Sequence, residues 1–264
     1  MEESFLRKRA CDTSNLRGAS DRASPVTQYI DTTADVQMES ARLAVSAGVT
    51  SLKVYFRGES LMVPVELTIR TSTGLHRGVH MSRLVHAANA KRGMAMEAWL
   101  RWICREVNRT QPNSEATVSY ELPFDDQFAK VKVRTTERGV ISYNYTVQGI
   151  TACPCSKKMT GVGHMQRAEI TLVTKSAKPL DSRGTVDKLK ECFSAVPREE
   201  LKRLDEAKKI LEAQANPRFA EDLVRECVKR FPNALFVSAR CFESIHAHDA
   251  IAVWSAKPGW IPSF

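Results

Sequence analysis

The amino-acid sequence predicts an α+β protein with mainly antiparallel sheets. Segments of strand length with alternating apolar residues occur in neighbouring pairs, and stretches with helical spacing of apolar residues lie between the pairs. This order of strands, helices and strands occurs twice in the 264 residues. Paired strands with grouped helices between them are typical of α+β folds. We therefore expect two tandem modules, residues 36–149 and 150–264, after a mobile polar tail at residues 1–35.

The first module is expected to begin with a hairpin. Two alternating segments, 51–56 and 63–69, flank a turn at Gly58. Residues 83–107 then carry apolar groups at helical spacing, and Gly93 divides this stretch. Three further strands are expected at 116–122, 129–136 and 140–149.

The second module is expected to follow the same plan. Its first strand is 167–174, and its last two strands are 234–243 and 248–255. Between them lie three stretches with helical patterns, 185–195, 198–214 and 217–231. The third of these helices would have Pro217 in its first turn and Asn216 as its cap. The two halves share no clear sequence repeat, so the duplication rests on the pattern alone.

The composition is that of a globular protein. Hydrophobic residues make up 43% and charged residues 26% of the chain, which are ordinary values. No apolar run approaches the roughly 18 residues that a membrane-spanning helix needs. The first nine residues are charged and are not followed by an apolar stretch, which argues against a secretory signal. We expect a cytoplasmic protein without a membrane partner.

The seven cysteines are an odd number and lack the spacing of a disulfide framework. In a reducing compartment, thiols remain free for metal binding, catalysis or packing. Three of them lie in helical patterns and are expected to be buried packing groups: Cys104, Cys192 and Cys227.

The formal net charge of +9 favours an anionic partner. A nucleic acid and a small molecule that carries a polyphosphate are both compatible with this charge. The basic residues are spread along the chain with few aromatic residues between them, which weakens the case for a surface that stacks single-stranded bases. Charge alone does not decide between the two.

The stretch from Gly149 to Arg167 contains the strongest functional signal. It supplies two thiols, Cys153 and Cys155, on either side of Pro154, and then the imidazole of His164. Sulfur and nitrogen donors on a bent loop suit a divalent transition metal. A redox pair, half of a zinc ribbon, or two buried thiols in a turn are the alternatives. A ribbon would need a second cysteine pair, which the sequence lacks.

A second group of candidate residues lies near the end of the chain. Glu243 is followed by His246 and His248, which would share one face of a strand because they are two residues apart. Imidazoles can transfer protons near neutral pH, although both could also be ordinary surface residues. On an ideal strand, Glu243 would face the opposite side, so it could join the histidines only through a twist or a bulge.

Other motifs have equally ordinary alternatives. The segment 76–83 carries two histidines and two arginines before a helix, which suits phosphate but also describes a simple basic turn. Glu206 and Glu221 each lie next to an aspartate in a helical pattern, which on its own indicates a solvated charged face.

Taken in order, these motifs resemble the type IB family of GTP cyclohydrolases. The resemblance covers about residues 35–255 and rests on six blocks: Gly78-x-His-Met-Ser-Arg83, Cys153-Pro-Cys-Ser156, His164-x-Gln-Arg167, Leu201-Lys-Arg-x-Asp-Glu206, Asn216-Pro-x-Phe-x-Glu-Asp222 and Glu243-Ser-Ile-His-x-His248. Any one block is weak evidence, but six blocks in the family's order are specific.

The resemblance implies a tunnelling fold, with two modules per subunit and helices on one face of the sheet, in a homotetramer with active sites at subunit interfaces. It implies hydrolysis of GTP at C8 to release formate and form 7,8-dihydroneopterin triphosphate, the action of a hydrolase on a cyclic amidine in folate-type pterin biosynthesis. The metal would be Fe²⁺, Mn²⁺ or Zn²⁺. No nucleic-acid partner is implied.

The resemblance also implies roles for individual residues. The metal ligands would be Cys153, His164 and Glu206. Glu221 would bind the guanine edge and His246 and His248 would transfer protons, with Cys155 and Glu243 close by. In addition, the positive charge of the chain leads us to expect that Arg83, Arg167 and nearby lysines hold the triphosphate.

Three features depart from the family's usual pattern. Met165 replaces an Asn, the loop from Cys153 to His164 is one residue shorter, and Thr151-Ala152 is similar to the archaeal methanopterin branch. That branch forms the 2′,3′-cyclic phosphate, which is the alternative product. Two rival functions remain: a reductase on the same fold that uses NADPH on a nitrile, and a nucleic-acid-binding protein without catalysis.

Overall fold

The computed structural model describes residues 35–58, 62–90 and 93–262. The described residues from 37 onward belong to one compact unit. The predicted tail, residues 1–35, lies outside the described residues except for its last position. Cys11 lies there as well.

Among the described residues, eight strands form one antiparallel sheet in which each strand pairs with its neighbours in the sequence. They are β1 (Ser46–Arg57), β2 (Met62–Ser72), β3 (Glu115–Phe124), β4 (Gln127–Thr136), β5 (Ile141–Ala152), β6 (Met165–Ser176), β7 (Ala234–Cys241) and β8 (Ala250–Ser255). Odd-numbered strands therefore run in one direction and even-numbered strands in the other. This places the ends of β5 and β7 at the same end of the sheet as the starts of β6 and β8.

Six α-helices connect the strands or pack against them in the described part of the chain. They are α1 (Met81–Ala90), α2 (Met96–Asn108), α3 (Pro154–Thr160), α4 (Ser182–Lys190), α5 (Arg203–Ala215) and α6 (Ala220–Arg230). Gly93 lies between α1 and α2 with a φ of 72°, a conformation that favours glycine. The predicted division of the long helical stretch is thus confirmed.

The core lies between the sheet and the helices. In β2, the buried residues Val65, Leu67 and Ile69 alternate with more exposed ones, as expected for a sheet with one covered face. From the helix side, α2 contributes its apolar stripe, including the buried residues Leu100 and Ile103. The uncovered face of the sheet is polar in β2 to β4, where hydroxyl and charged side chains line a shallow cavity.

Inside this core, one tyrosine of β5 forms hydrogen bonds with α2 and with the segment before α4. The buried Tyr143 of β5 donates its hydroxyl hydrogen to Glu97 in the first turn of α2 (2.9 Å), and the same oxygen accepts from the Leu180 N–H (3.1 Å). The Tyr143 and Tyr145 rings lie parallel with centroids 5.9 Å apart. Burial, together with the nearby Glu97 charge, raises the pKa of Tyr143, so it remains a neutral donor.

The α+β class with an antiparallel sheet is confirmed, and all eight predicted strands are present. The division into two modules stays a prediction, and its expected boundary between residues 149 and 150 falls inside β5. Cys104, Cys192 and Cys227 are buried free thiols, as expected. Among the residues described, no helix is both long enough and apolar enough to cross a bilayer.

Candidate functional site

The loop after β5 contains a short helix that the sequence pattern did not predict. Cys153 is the N-cap of α3, with Pro154 in the first helical position, and the helix ends at Gly161 with a φ of 81°. The Cys153 sulfur accepts a hydrogen bond from the Ser156 N–H (3.5 Å). Proline at the start and glycine after the end are the usual helix boundary signals, so the sequence did contain this information.

Backbone contacts hold Cys153 and His164 together. The Cys153 N–H donates to the His164 carbonyl (2.9 Å). Between them, Gly163 lies so close that an added Cβ would be 2.6 Å from the Cys153 oxygen. The side-chain amide of Gln214, near the end of α5, accepts from the Gly163 N–H (2.8 Å) and donates to its carbonyl (2.7 Å). The thiol and the imidazole are therefore fixed to the same rigid turn.

The His164 ring is enclosed by polar groups. Its Nδ1 lies 2.8 Å from Gln166 Oε1, 3.5 Å from Ser244 Oγ and 3.8 Å from Glu243 Oε2. Only 14% of the His164 side chain and 11% of the Glu243 side chain are exposed. Glu243 thus joins the predicted metal loop from a distant part of the chain.

Glu243 offers an unpaired carboxylate oxygen to this group of polar side chains. Its Oε2 is buried and has no hydrogen-bond partner among the described residues. A buried carboxylate oxygen without a partner is energetically costly. Glu243 Oε2 lies near His164, and single ligand atoms of His164, Glu243 and His246 lie within 4.8 Å of one another. This mixed nitrogen and oxygen donor set fits a divalent metal ion.

His246 and His248 lie in a loop. The predicted strand 234–243 extends too far at its end, and the predicted strand 248–255 begins too early. β7 ends at Cys241 and β8 starts at Ala250. The Asp249 carboxylate accepts from Arg240 Nε (2.8 Å) and so links the end of β7 to the end of the loop. The two imidazoles stack with centroids 5.2 Å apart, and His246 meets the His164 ring edge-on at 6.0 Å. No bulge is needed to bring Glu243 to the same site.

The start of α6 forms another wall of the site. The predicted helix start at Pro217 with an Asn216 cap is wrong, since α6 begins at Ala220 after Phe219. The Arg218 N–H donates to the Ala152 carbonyl at the end of β5 (2.9 Å), which keeps this segment extended. Asn216 instead donates its amide to the Phe193 carbonyl (3.2 Å). Glu221 consequently lies in the first turn of α6, beside Cys153 and His164.

Six of the predicted residues line one cavity of about 270 Å³: Cys153, His164, Glu221, Glu243, His246 and His248. They come from four separate segments: the α3 N-cap, the start of β6, the first turn of α6 and the β7–β8 loop. The convergence of sulfur, imidazole and carboxylate groups gives this cavity the donors for a metal and the acids and bases for proton transfer.

Four predicted residues do not line this cavity in the described part of the chain. Cys155 is exposed in the first turn of α3, and Glu206 is exposed in the first turn of α5. Arg167 is an exposed residue of β6. Arg83 lies in the first turn of α1. The roles expected for these four residues stay predictions.

Arg83 lies towards the other end of the sheet. Three residues before Arg83, the His80 N–H donates to Gln111 Oε1 (2.9 Å). Pro112, which follows Gln111, accepts at its carbonyl from the N–H of Ser72 at the end of β2 (2.9 Å). Because β2 and β5 run in opposite directions, the end of β2 and the end of β5 lie at opposite ends of the sheet.

Sequence reasoning missed the other six residues that line the cavity, of which three carry polar or thiol side chains: Gln166, Arg218 and Cys241. Gln166 is two residues after His164 in the same motif, and this spacing could have identified it. Cys241 is hidden in an apolar strand pattern. Burial raises the pKa of its thiol to about 11, and the nearby Glu243 and Glu221 charges act in the same direction.

Comparison with known proteins identifies the family of this chain. The family model for type I GTP cyclohydrolase FolE2 matches residues 34–252. The chain belongs to this family. GTP cyclohydrolase FolE2 1 of Dechloromonas aromatica is 29% identical over 249 residues, which cover 83% of this chain and 94% of that protein. GTP cyclohydrolase FolE2 of Geobacter sp. (strain M21) is 32% identical over 199 residues, covering 67% and 73% of the two chains.

The archaeal branch is represented as well. GTP cyclohydrolase MptA of Picrophilus torridus is 25% identical over 249 residues, which cover 83% of this chain and 90% of that protein. Among solved structures, the uricase of Arthrobacter globiformis aligns with a TM-score of 0.47 and 7% identity over 86% of this chain and 98% of the uricase. So distant a likeness says nothing about function.

Proposed function

We propose that this FolE2-family protein hydrolyses GTP at C8, releases formate and forms 7,8-dihydroneopterin triphosphate. The observation that carries the proposal is the convergence of six family-motif residues on one cavity. Their types match the chemistry that this reaction needs: ligands for a metal, a carboxylate for the guanine edge and imidazoles for proton transfer.

Cys153, His164 and Glu243 are the residues proposed to hold a divalent ion, Fe²⁺, Mn²⁺ or Zn²⁺. The buried and unpartnered Glu243 Oε2 supports a carboxylate ligand at this position. Glu206, which the resemblance implies as a ligand, is the second candidate carboxylate. When bound, the ion supplies a Lewis acid that lowers the pKa of water towards neutrality.

Glu221 is proposed to select guanine. One carboxylate can accept hydrogens from both N1 and the 2-amino group of guanine, whereas adenine has no hydrogen on N1. A site built to pair with such hydrogens rejects the analogue that lacks them by a large factor. Glu221 lines the same cavity as His164. A guanine bound to Glu221 would therefore lie in the cavity that contains the proposed metal ligands.

His246 and His248 are proposed to move protons during ring opening. Their stacked rings lie beside His164, in the cavity where the purine is proposed to bind. A protonated imidazole would donate to that nitrogen as the C8–N bond breaks, and the neutral imidazole would accept a proton from the attacking water. Cys155 lies in α3, the short helix that Cys153 caps, and is proposed to act near the two histidines.

The triphosphate is proposed to be bound partly by a second copy of the chain, in the homotetramer that the resemblance implies. Arg83 lies towards the other end of the sheet from the cavity, so it could contribute only across a subunit interface. Arg167 and neighbouring cations would add to the attraction, in keeping with the net charge of +9. A cytoplasmic location remains an expectation.

One assay tests the reaction and its product. Metal-loaded protein is incubated with GTP, and the released formate is quantified. The pterin product is then oxidised, and its mass is measured by mass spectrometry. Formate together with the triphosphate mass supports the proposal. The mass of the 2′,3′-cyclic phosphate would favour the archaeal-type reaction, to which the MptA relative and Thr151-Ala152 point. Salt-dependent binding of random DNA without GTP turnover would favour a nucleic-acid-binding protein.

A further inference from the structure

We infer that Gln166 is a positioning residue of the metal centre. Its side-chain carbonyl keeps the hydrogen of His164 on Nδ1, so that Nε2 is the nitrogen available to the ion and Glu243 Oε2 stays available as well. This inference rests on the metal site proposed above.

The first step of the argument is the hydrogen bond itself. Gln166 Oε1 lies 2.8 Å from His164 Nδ1, which is a good hydrogen-bond distance. A carbonyl oxygen can only accept, so Nδ1 must carry the hydrogen. A neutral imidazole has one N–H, so the lone pair that can bond a metal is on Nε2.

The second step concerns the competing acceptors around Nδ1. Ser244 Oγ lies at 3.5 Å and Glu243 Oε2 at 3.8 Å, both farther than Gln166. A carboxylate is a stronger acceptor than an amide. Without Gln166, the ring N–H would turn to Glu243 and donate a hydrogen bond to Oε2, which now has no hydrogen-bond partner among the described residues. Gln166 therefore separates two groups that would otherwise pair with each other.

The third step is the rigidity of the Gln166 backbone. Gln166 is the second residue of β6, it pairs with Thr151 of β5, and it is 9% exposed. His164 precedes the strand. A polar group fixed by a sheet can orient a ligand in a neighbouring loop, and ligating histidines commonly donate their other N–H to such an acceptor.

Metal affinity tests the inference independently of catalysis. Competition with a chromophoric chelator gives the Zn²⁺ affinity of the full chain and its variants. Gln166→Leu should weaken Zn²⁺ binding about 10- to 100-fold, the usual cost of losing such a partner. Gln166→Glu should bind Zn²⁺ at least as tightly as the native protein, because a carboxylate accepts the same hydrogen. Gln127→Leu removes a partly buried glutamine of β4 that donates to Pro197, and should leave Zn²⁺ affinity unchanged.

The ring tautomer offers a test without any substitution. Nitrogen–proton correlation spectra of the native protein should place the His164 hydrogen on Nδ1. A hydrogen on Nε2, or unchanged Zn²⁺ affinity in a folded Gln166→Leu protein, would overturn the inference. If Gln166→Leu does not fold, the tautomer and the Gln166→Glu affinity decide.

Failure of the metal site itself gives a different result. If Cys153→Ala and His164→Ala bind Zn²⁺ as tightly as the native protein, the proposed site is wrong and the inference falls with it. If these two variants lose Zn²⁺ while Gln166→Leu keeps it, only the role of Gln166 is wrong.

Discussion

At the scale of residues, the Cys153 and Cys241 thiols line the same cavity but differ in burial and in hydrogen bonding. Cys241 is 1% exposed, and burial is the main reason that its pKa rises to about 11. The Cys241 sulfur accepts a hydrogen bond from the Thr151 hydroxyl (3.8 Å), so we interpret Cys241 as a packing group of β7. Cys153 is less buried and caps α3, where the Ser156 N–H reaches its sulfur.

This contrast predicts opposite outcomes for two matched substitutions. Cys153→Ala should abolish metal retention and formate release, because it removes the soft ligand of the site. Cys241→Ala should keep the bound metal, because it removes only a neutral thiol. Metal content after gel filtration and formate release measure both effects. Full activity in Cys153→Ala would remove the proposed ligand set.

The two candidate carboxylates can be separated in the same way. Glu243→Gln should weaken metal binding by roughly 10- to 100-fold or more, because Glu243 Oε2 is a buried carboxylate oxygen beside His164 that has no hydrogen-bond partner among the described residues. Glu206→Gln is the comparison, since Glu206 is exposed at the start of α5. An equal loss in Glu206→Gln would add Glu206 to the ligands, whereas normal affinity in Glu243→Gln would contradict the role of Glu243.

A third residue-scale prediction separates proton transfer from metal binding. His246→Ala should retain the metal but lose about 10²- to 10⁴-fold in turnover, the usual contribution of a general acid or base. Single-turnover formate release and metal analysis of the same sample measure the two properties. Loss of the metal from His246→Ala would make His246 a ligand instead.

At the scale of elements, a charged pair joins the β3–β4 turn to the end of α4. Asp125, at a φ of 45° in that turn, accepts a hydrogen bond from Lys190 (2.8 Å). This bond is the main reason that the pKa of Asp125 lies below its usual value. A lowered folded-state pKa means that the pair stabilises the fold above the unfolded-state pKa, and that this contribution is lost as the pH falls through the folded-state value.

Asp125→Asn should therefore destabilise the protein by about 0.2–1 kcal/mol at pH 7, the range for a partly exposed pair. Asparagine tolerates the same positive φ, so the turn itself should persist. The difference in free energy of unfolding from the native protein should shrink towards zero as the pH falls below about 4. Urea unfolding at pH 7, 5 and 3 measures it; a difference that is independent of pH would contradict the role of the charge.

The elements that were predicted correctly are those whose periodicity is set by one buried face. Alternation in β2 and the helical stripe of α2 are direct consequences of the covered side of the sheet. The errors lie where tertiary contacts override local signals. The segment before α6 is extended because Arg218 bonds to the end of β5, and the histidine segment alternates like a strand although Ile245 is 65% exposed.

At the scale of the whole molecule, the separation of Arg83 from the cavity bears on assembly. A site that needs Arg83 must combine two copies of the chain, because β2 and β5 end at opposite ends of the sheet. Closed symmetric assemblies repeat such an interface in every subunit. The proposed homotetramer thus makes a prediction about mixed assemblies.

Arg83→Ala and Cys153→Ala should each lack GTP turnover when tested alone. After unfolding and refolding as an equal mixture, about a quarter of the sites would combine two intact halves in a symmetric assembly, and formate release should return to a comparable fraction. Refolded single variants are the controls. Mixtures that stay inactive, although native protein regains activity after the same treatment, would contradict a shared site.

The sequence by itself determined the order of the strands and of the longer helices, and the chemical types gathered in the motifs, because periodicity and donor chemistry are local properties. It also identified Cys153 and His164 as neighbours, since one short turn joins them. Only the tertiary structure decided that Glu243 lies beside His164 and that Glu206 is exposed at the start of α5. Such proximity depends on how β5, β6, β7 and α6 pack around one end of the sheet, and no spacing along the chain encodes it.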